Sequence, residues 1–189
     1  LVVGVATVGI FYLFTQHLQW VEGLTPLRAG LWTLPYVLLN IAGALVAPGV
    51  AARTGSASAI ALGLGLATVG AGTAALAPSF GAPLPVLVGL LALIGFGQGG
   101  AMALISDLII SGAPEEQAGS AAATQEVAGE LGAALGIAAG GALGVLAYRL
   151  SLTGRLPDGV PEATAREARS SIHDGVAAAQ GSPELLAAV

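Results

Sequence analysis

Only eight of the first 148 residues are charged: Glu22, Arg28, Arg53, Asp107, Glu115, Glu116, Glu126 and Glu130. The other nine charges crowd into residues 149–189. A surface in water cannot be covered at that density. Soluble domains carry about 25% charged residues, whereas this chain has 9%, with 55% hydrophobic residues and a mean hydropathy of +0.85. The first 150 residues are therefore read as membrane-embedded and the remainder as facing water.

The same charges exclude several functions. A net charge of −5 without any basic cluster argues against nucleic acid as a partner. There is no cysteine, hence no thiolate metal site. All six basic residues are Arg, which with the abundance of Ala and Gly suggests a GC-rich bacterial genome. The apolar N-terminus lacks the charged flank of a signal peptide. Its abrupt start inside an apolar run leads us to expect a fragment of a longer protein.

A spanning helix needs about 20 mostly apolar residues. Five segments qualify, at about 1–20, 31–50, 57–77, 84–110 and 118–150, and each break carries turn chemistry. The first closes with "EGLTPLRAG", and Trp20 stands where an interfacial aromatic belongs. The second ends in "PGVAARTGS", with Pro35 and Pro48 expected near its ends. "PSFGAPLP" closes the third, and "SGAPEEQ" separates the fourth from the fifth. Long Ala/Gly/Leu runs without strand alternation favour helices over an outer-membrane barrel. The expected fold is all-α, a polytopic membrane helix bundle. Residues 151–189 are polar, with Gly, Pro and mixed charges.

Within the fifth segment, Gly132, Gly136, Gly140 and Gly144 recur every fourth residue, with Ala128 before them. Such a stripe lets a neighbouring backbone approach closely. Glu126 and Glu130 are also four apart but displaced from the stripe by two residues, about 200° around a helix. They point away from the packing face. Counted from Ala118, Glu126 lies about 12 Å and Glu130 about 18 Å along the axis. One reading places both among the lipid headgroups. For Glu130 that is expensive, because a charged acid near the bilayer centre costs roughly 2.5–3.5 kcal/mol even on the lenient insertion scale. The other reading is functional: two carboxyls that hold a proton and release it when a cation or water arrives suit exchange of protons against a cationic substrate.

Three stretches carry a family likeness. "GLTPLRAGLWTLP" (23–35), "APGVAARTG" (47–55) and "SDLIISGAPEEQAGSAAATQEVAGELGAALGIAAGGAL" (106–143) resemble the fourteen-helix drug:proton antiporters of the major facilitator superfamily, in particular the QacA/SmvA-like branch. The resemblance covers about the first 150 residues and implies a C-terminal six-helix half with five of its six spans present. Residues 151–189 then correspond to the polar extracytoplasmic loop before a missing last helix. It further implies proton-coupled multidrug efflux, with Glu126 and Glu130 serving proton coupling and cation binding. The implied partners are protons, lipophilic organic cations, the lipid bilayer and the N-terminal half of the same transporter in a bacterial cell membrane. Asn40, in "YVLLNIAG", stands where some members have an acid, so the expected substrates are monovalent. "GVAARTG" is a worn form of the superfamily's loop motif in which Arg53 is the surviving charge. The resemblance places Arg53 and the "PEEQ" loop in the cytoplasm. Counting Arg28, Arg149 and Arg155 favours the opposite orientation, but early helices usually set topology.

The remaining candidates are individually weaker. Tyr12, Gln16 and Gln19 put polar atoms on the first helix, and Tyr12, Gln16, Asn40 and Gln98 are candidates for lining a cavity. For Gln98, a bond to a neighbouring helix is the commoner use. Asp107 and Arg53 are candidate gating or structural charges, either paired with each other or reaching out to water. Trp32 and Phe96 offer ring faces to an organic cation, although lipid anchoring and packing are commoner uses. "GFGQGG" lacks the preceding strand and following Lys of a phosphate loop. His17 and His173 have no ligand-spaced partners, no catalytic constellation is visible, and no cofactor or metal is expected. The alternatives to proton-coupled export are a non-transporting membrane protein, whether intramembrane enzyme or assembly partner, and a facilitator-family transporter of another small solute.

Overall fold

The computed structural model describes residues 1–153, and among these every regular element is helical. Helix α1 covers Val2–Gln16 and continues as a π-helical turn, His17–Val21. Helices α2 (Pro26–Thr54), α3 (Ser56–Leu76), α4 (Leu84–Ser111) and α5 (Ala118–Thr153) follow. All five are long and apolar enough to cross a membrane. The expected polar loop covers 151–189, but α5 continues through Thr153, and the rest of that stretch, 154–189, lies outside the described residues.

Local chemistry explains most of the boundaries. The α1 turn ends at Gly23, whose φ of +63° is the left-handed conformation glycine adopts without a Cβ clash. Two residues later Thr25 caps α2, its Oγ1 accepting from the Arg28 amide, with Pro26 in the first helical position. "TPLRAG" is thus a cap and first turn rather than a loop, and α2 begins five residues before the expected position. It also runs on to Thr54, where Arg53 sits favourably against the helix dipole and Gly55, at φ +84°, ends the run. Pro35 and Pro48 consequently lie inside α2, not near its ends. Spanning helices tolerate such prolines because neighbouring groups re-satisfy the freed carbonyls.

The chain packs in two groups. In Thr15–Gly129, α4 lies between α2 and α3. Its buried residues include Leu91, Ile94 and Leu104, but also Gly95, Gly97, Gly99 and Gly100. These glycines place backbone on backbone. A Cβ on Gly95 would stand 2.6 Å from the Tyr36 carbonyl oxygen, one on Gly99 would strike the Asn40 carbonyl, and one on Gly43 that of Phe96. Gly63 and Gly97 make the same approach between α3 and α4. Two polar contacts stitch the α2–α4 seam: Asn40 Nδ2 donates to the Gly95 carbonyl, and Tyr36 Oη donates to Gln98 Oε1, each at 3.1 Å.

The other group joins Leu1–Phe14 to the described chain from Glu130 onward. Here α1 lies along the glycine stripe of α5. A Cβ on Gly136 would come 2.6 Å from the Val5 carbonyl oxygen, and one on Gly132 2.9 Å from that of Leu1. Gly140 faces the Gly9 backbone at 3.1 Å, whereas Gly144 meets only the flexible tip of Leu13.

Overpacking such contacts costs about 1–3 kcal/mol. Gly136→Val is therefore expected to lower the thermal midpoint of the detergent-solubilised protein, while Gly129→Ala, at a position with nothing within 4 Å, does not. Asn40→Asp removes the donor to Gly95 and sets a carboxylate against a carbonyl. It should destabilise by about 1–3 kcal/mol, the penalty for an unsatisfied buried group, read from the same unfolding curves.

Candidate functional site

Glu126 and Glu130 project from α5 one turn apart, eight and twelve residues beyond Ala118. Both side chains are exposed, as are Val127 and Leu131 beside them, while Gly132 and Gly136 are buried. Neither carboxylate has a hydrogen-bond or ion-pair partner among the described residues. The helix thus carries a packing face of small residues and, on another side, two unneutralised acids within a run long enough to span a bilayer. Chemically, that arrangement can bind protons or a cation, with no ion-pair partner among the described residues to prevent it.

The other candidates fall in several places. Asn40 and Gln98 are half-buried and committed to the α2–α4 seam through Gly95 and Tyr36. With its amide engaged there, Asn40 gives no support to a preference for monovalent substrates. Gln16 accepts from Trp20 Nε1 at 2.7 Å, a local bond one turn along the chain. Tyr12 is half-buried on α1, with its ring 3.9 Å from where a Cβ on Gly141 would lie. Phe96 faces an apolar cavity of about 200 Å³ between α2, α3 and α4, beside Gly43, Ala47, Gly63 and Gly100.

Arg53 is exposed in the last turn of α2 and lines a shallow groove with Val46, Gly49, Val50 and Thr54. Asp107 is exposed on α4. Of the two alternatives for these charges, pairing with each other does not form among the described residues. Both side chains are instead exposed, Arg53 in the last turn of α2 and Asp107 near the end of α4.

Sequence reasoning missed two features. His17 Nε2 lies 3.7 Å from Glu22 Oε1, because the π turn bonds the Glu22 amide to the His17 carbonyl and stacks residues five apart. In an α-helix they would diverge by about 140°, so no helical periodicity could have suggested the pair. Gln125 Nε2 donates to Ser106 Oγ at 2.6 Å, tying α5 to α4 across the turn. Both residues stood inside the most specific family-like stretch but looked like unremarkable polar positions.

Comparison with known proteins agrees with the architecture. Residues 1–137 match the Major Facilitator Superfamily. The chain is 32% identical over 185 residues to the methyl viologen resistance protein SmvA of Salmonella typhimurium, covering 95% of this chain and 36% of that protein. It is 29% identical over 167 residues to the multidrug efflux pump LfrA of Mycolicibacterium smegmatis, covering 88% and 32% respectively. Identity to a tetracycline resistance determinant of Streptomyces rimosus is 31% over 136 residues, covering 72% of this chain and 39% of that one. The chain spans about a third of the length of these relatives. With five apolar helices packed through glycine seams and a family match over most of its length, the chain belongs to the Major Facilitator Superfamily, whose members are multi-pass membrane transporters and not enzymes.

Proposed function

We propose that the chain is the C-terminal part of a proton-coupled efflux transporter for lipophilic organic cations, with Glu126 and Glu130 as the carboxyls that exchange proton for cation. The observation that carries this reading is the pair of unneutralised acids on the side of α5 away from its glycine stripe. A relative named for multidrug efflux supports export, and one named for resistance to methyl viologen, itself an organic cation, supports the substrate class.

In this mechanism each acid is neutralised by one occupant at a time. A proton on the carboxyl makes the site neutral and tolerable in a poorly screened environment. An arriving cation restores the charge balance when that proton leaves to water. Alternating access then carries the cation out and a proton in, as the two halves of the transporter rock about the site. The N-terminal half supplies the opposing surface, and the C-terminal end of α2 bearing Arg53 and the α4–α5 connection bearing Glu115 lie on the cytoplasmic side.

The two acids differ in depth, and the difference sets the expected phenotypes. In the full-length transporter, Glu130→Gln abolishes export driven by an imposed pH gradient, since an amide exchanges no proton. Glu126→Gln raises the half-saturating cation concentration about tenfold, corresponding to about 1.4 kcal/mol of lost Coulomb attraction, and keeps residual coupling. Glu130→Asp retains partial activity because charge survives and only reach shortens. Export rates in proteoliposomes check all three once folded protein is confirmed. Wild-type rates in Glu130→Gln would overturn the assignment, and gradient-driven flux of neutral or anionic solutes alone would overturn the substrate class.

A further inference from the structure

The start of α5 packs through a face that repeats at helical spacing: Ala118, Ala121, Gln125 and Ala128 are half-buried there, while the residues between them are exposed. Three alanines make a smooth surface that does not resist rotation of the helix about its axis. Gln125 is the member able to form a directional bond, and it reaches Ser106 on α4 at 2.6 Å. The bond is short for an amide donor, whose usual distance is about 2.9–3.0 Å.

The arrangement is not the simplest way to pack two helices. The second amide atom, Gln125 Oε1, is buried and has no hydrogen-bond partner among the described residues. A leucine or alanine would fill the same place without burying a half-satisfied amide. What an apolar residue would not do is fix an angle. The next residue is Glu126, exposed and about 100° further around the helix. Slipping the helix by one residue's rotation would swing its carboxylate through that whole angle.

We propose that Gln125, held by Ser106, is a positioning residue that sets the rotation of the first part of α5 on α4 and so the direction in which Glu126 points. Its effect on transport rests on the reading of Glu126 given above, but its effect on rotation does not.

Two measurements on the full-length transporter in proteoliposomes keep these apart. The first reads rotation. The 189 residues contain no cysteine, so Glu126→Cys, in a background cleared of any cysteine elsewhere, can be labelled with a water-soluble thiol reagent. Gln125→Ala and Ser106→Ala should each change its labelling rate severalfold. The swapped pair, Ser106→Gln with Gln125→Ser, which rebuilds the bond, should return it toward the parent value. An unchanged rate in Gln125→Ala overturns the proposal whatever the transport data show. The second measurement reads function. Gln125→Ala should lower gradient-driven export about tenfold, the weight of one buried hydrogen bond at the upper end of its range. Combined with Glu126→Gln it should add little further loss, because both act through one carboxylate. Full additivity overturns the proposal. So does wild-type export in the apolar pair Ser106→Ala with Gln125→Leu, since packing alone would then suffice. If Glu126→Gln itself exports normally, the coupling role of Glu126 fails, and the labelling result still decides whether Gln125 sets the helix rotation.

Discussion

Close approach of one backbone to another at glycine is the constraint on which this chain depends. Lipid tails are as apolar as leucine, so helices in a bilayer gain nothing from hiding leucine from water. Association has to come from dispersion over short distances and from polar contacts that lipid cannot supply. The structure follows that rule. Leu27, Leu38, Leu45, Leu62 and Leu143 are all exposed, whereas the contacts that join helices run through Gly43, Gly63, Gly95, Gly99, Gly132 and Gly136. Helix α4 is the extreme case, with glycine at 95, 97, 99 and 100 among its buried residues.

Once backbones lie that close, a polar side chain on the seam has a use that needs no ligand. The Asn40 amide and the Tyr36–Gln98 pair bridge α2 and α4 at the level where glycine lets the helices meet. This explains why the cavity candidates proved hard to rank from sequence. A polar residue in a span lines a water-filled path or bonds a neighbouring helix, and the local sequence is the same in both cases. "GFGQGG" announces close packing by its glycines, and Gln98 within it follows the packing.

Other parts were legible because their physics is local. Apolar run lengths delivered five helices long enough to span a membrane. Fourfold glycine spacing picked out the face of α5 along which α1 lies. The ends of α2 were misjudged because "TPLRAG" looks polar, although Thr25 and Pro26 are a cap and a first-turn proline. The His17–Glu22 contact was out of reach, since it depends on a π turn that no 3.6-residue pattern encodes. Ser106 and Gln125 were unreadable for a different reason: their bond joins two helices, and nothing within either segment specifies the other.

The acids of α5 follow from the same packing rule. Along the stripe that α1 covers, even one methyl group would come within about 3 Å of a backbone atom at Gly132, Gly136 or Gly140. No carboxylate fits there. Glu126 and Glu130 are therefore confined to the rest of the helix surface, where charges facing hydrocarbon near the bilayer centre would each cost roughly 2.5–3.5 kcal/mol. Helix propensity does not require that expense, because Ala or Leu would form the helix at least as well at both positions. Nor does a salt bridge offset it among the described residues. Under the proposed function, a pair of acids held away from the packed face, with no ion-pair partner among the described residues, takes its balancing charge from what is transported. A proton and an organic cation, taken in turn, would supply it.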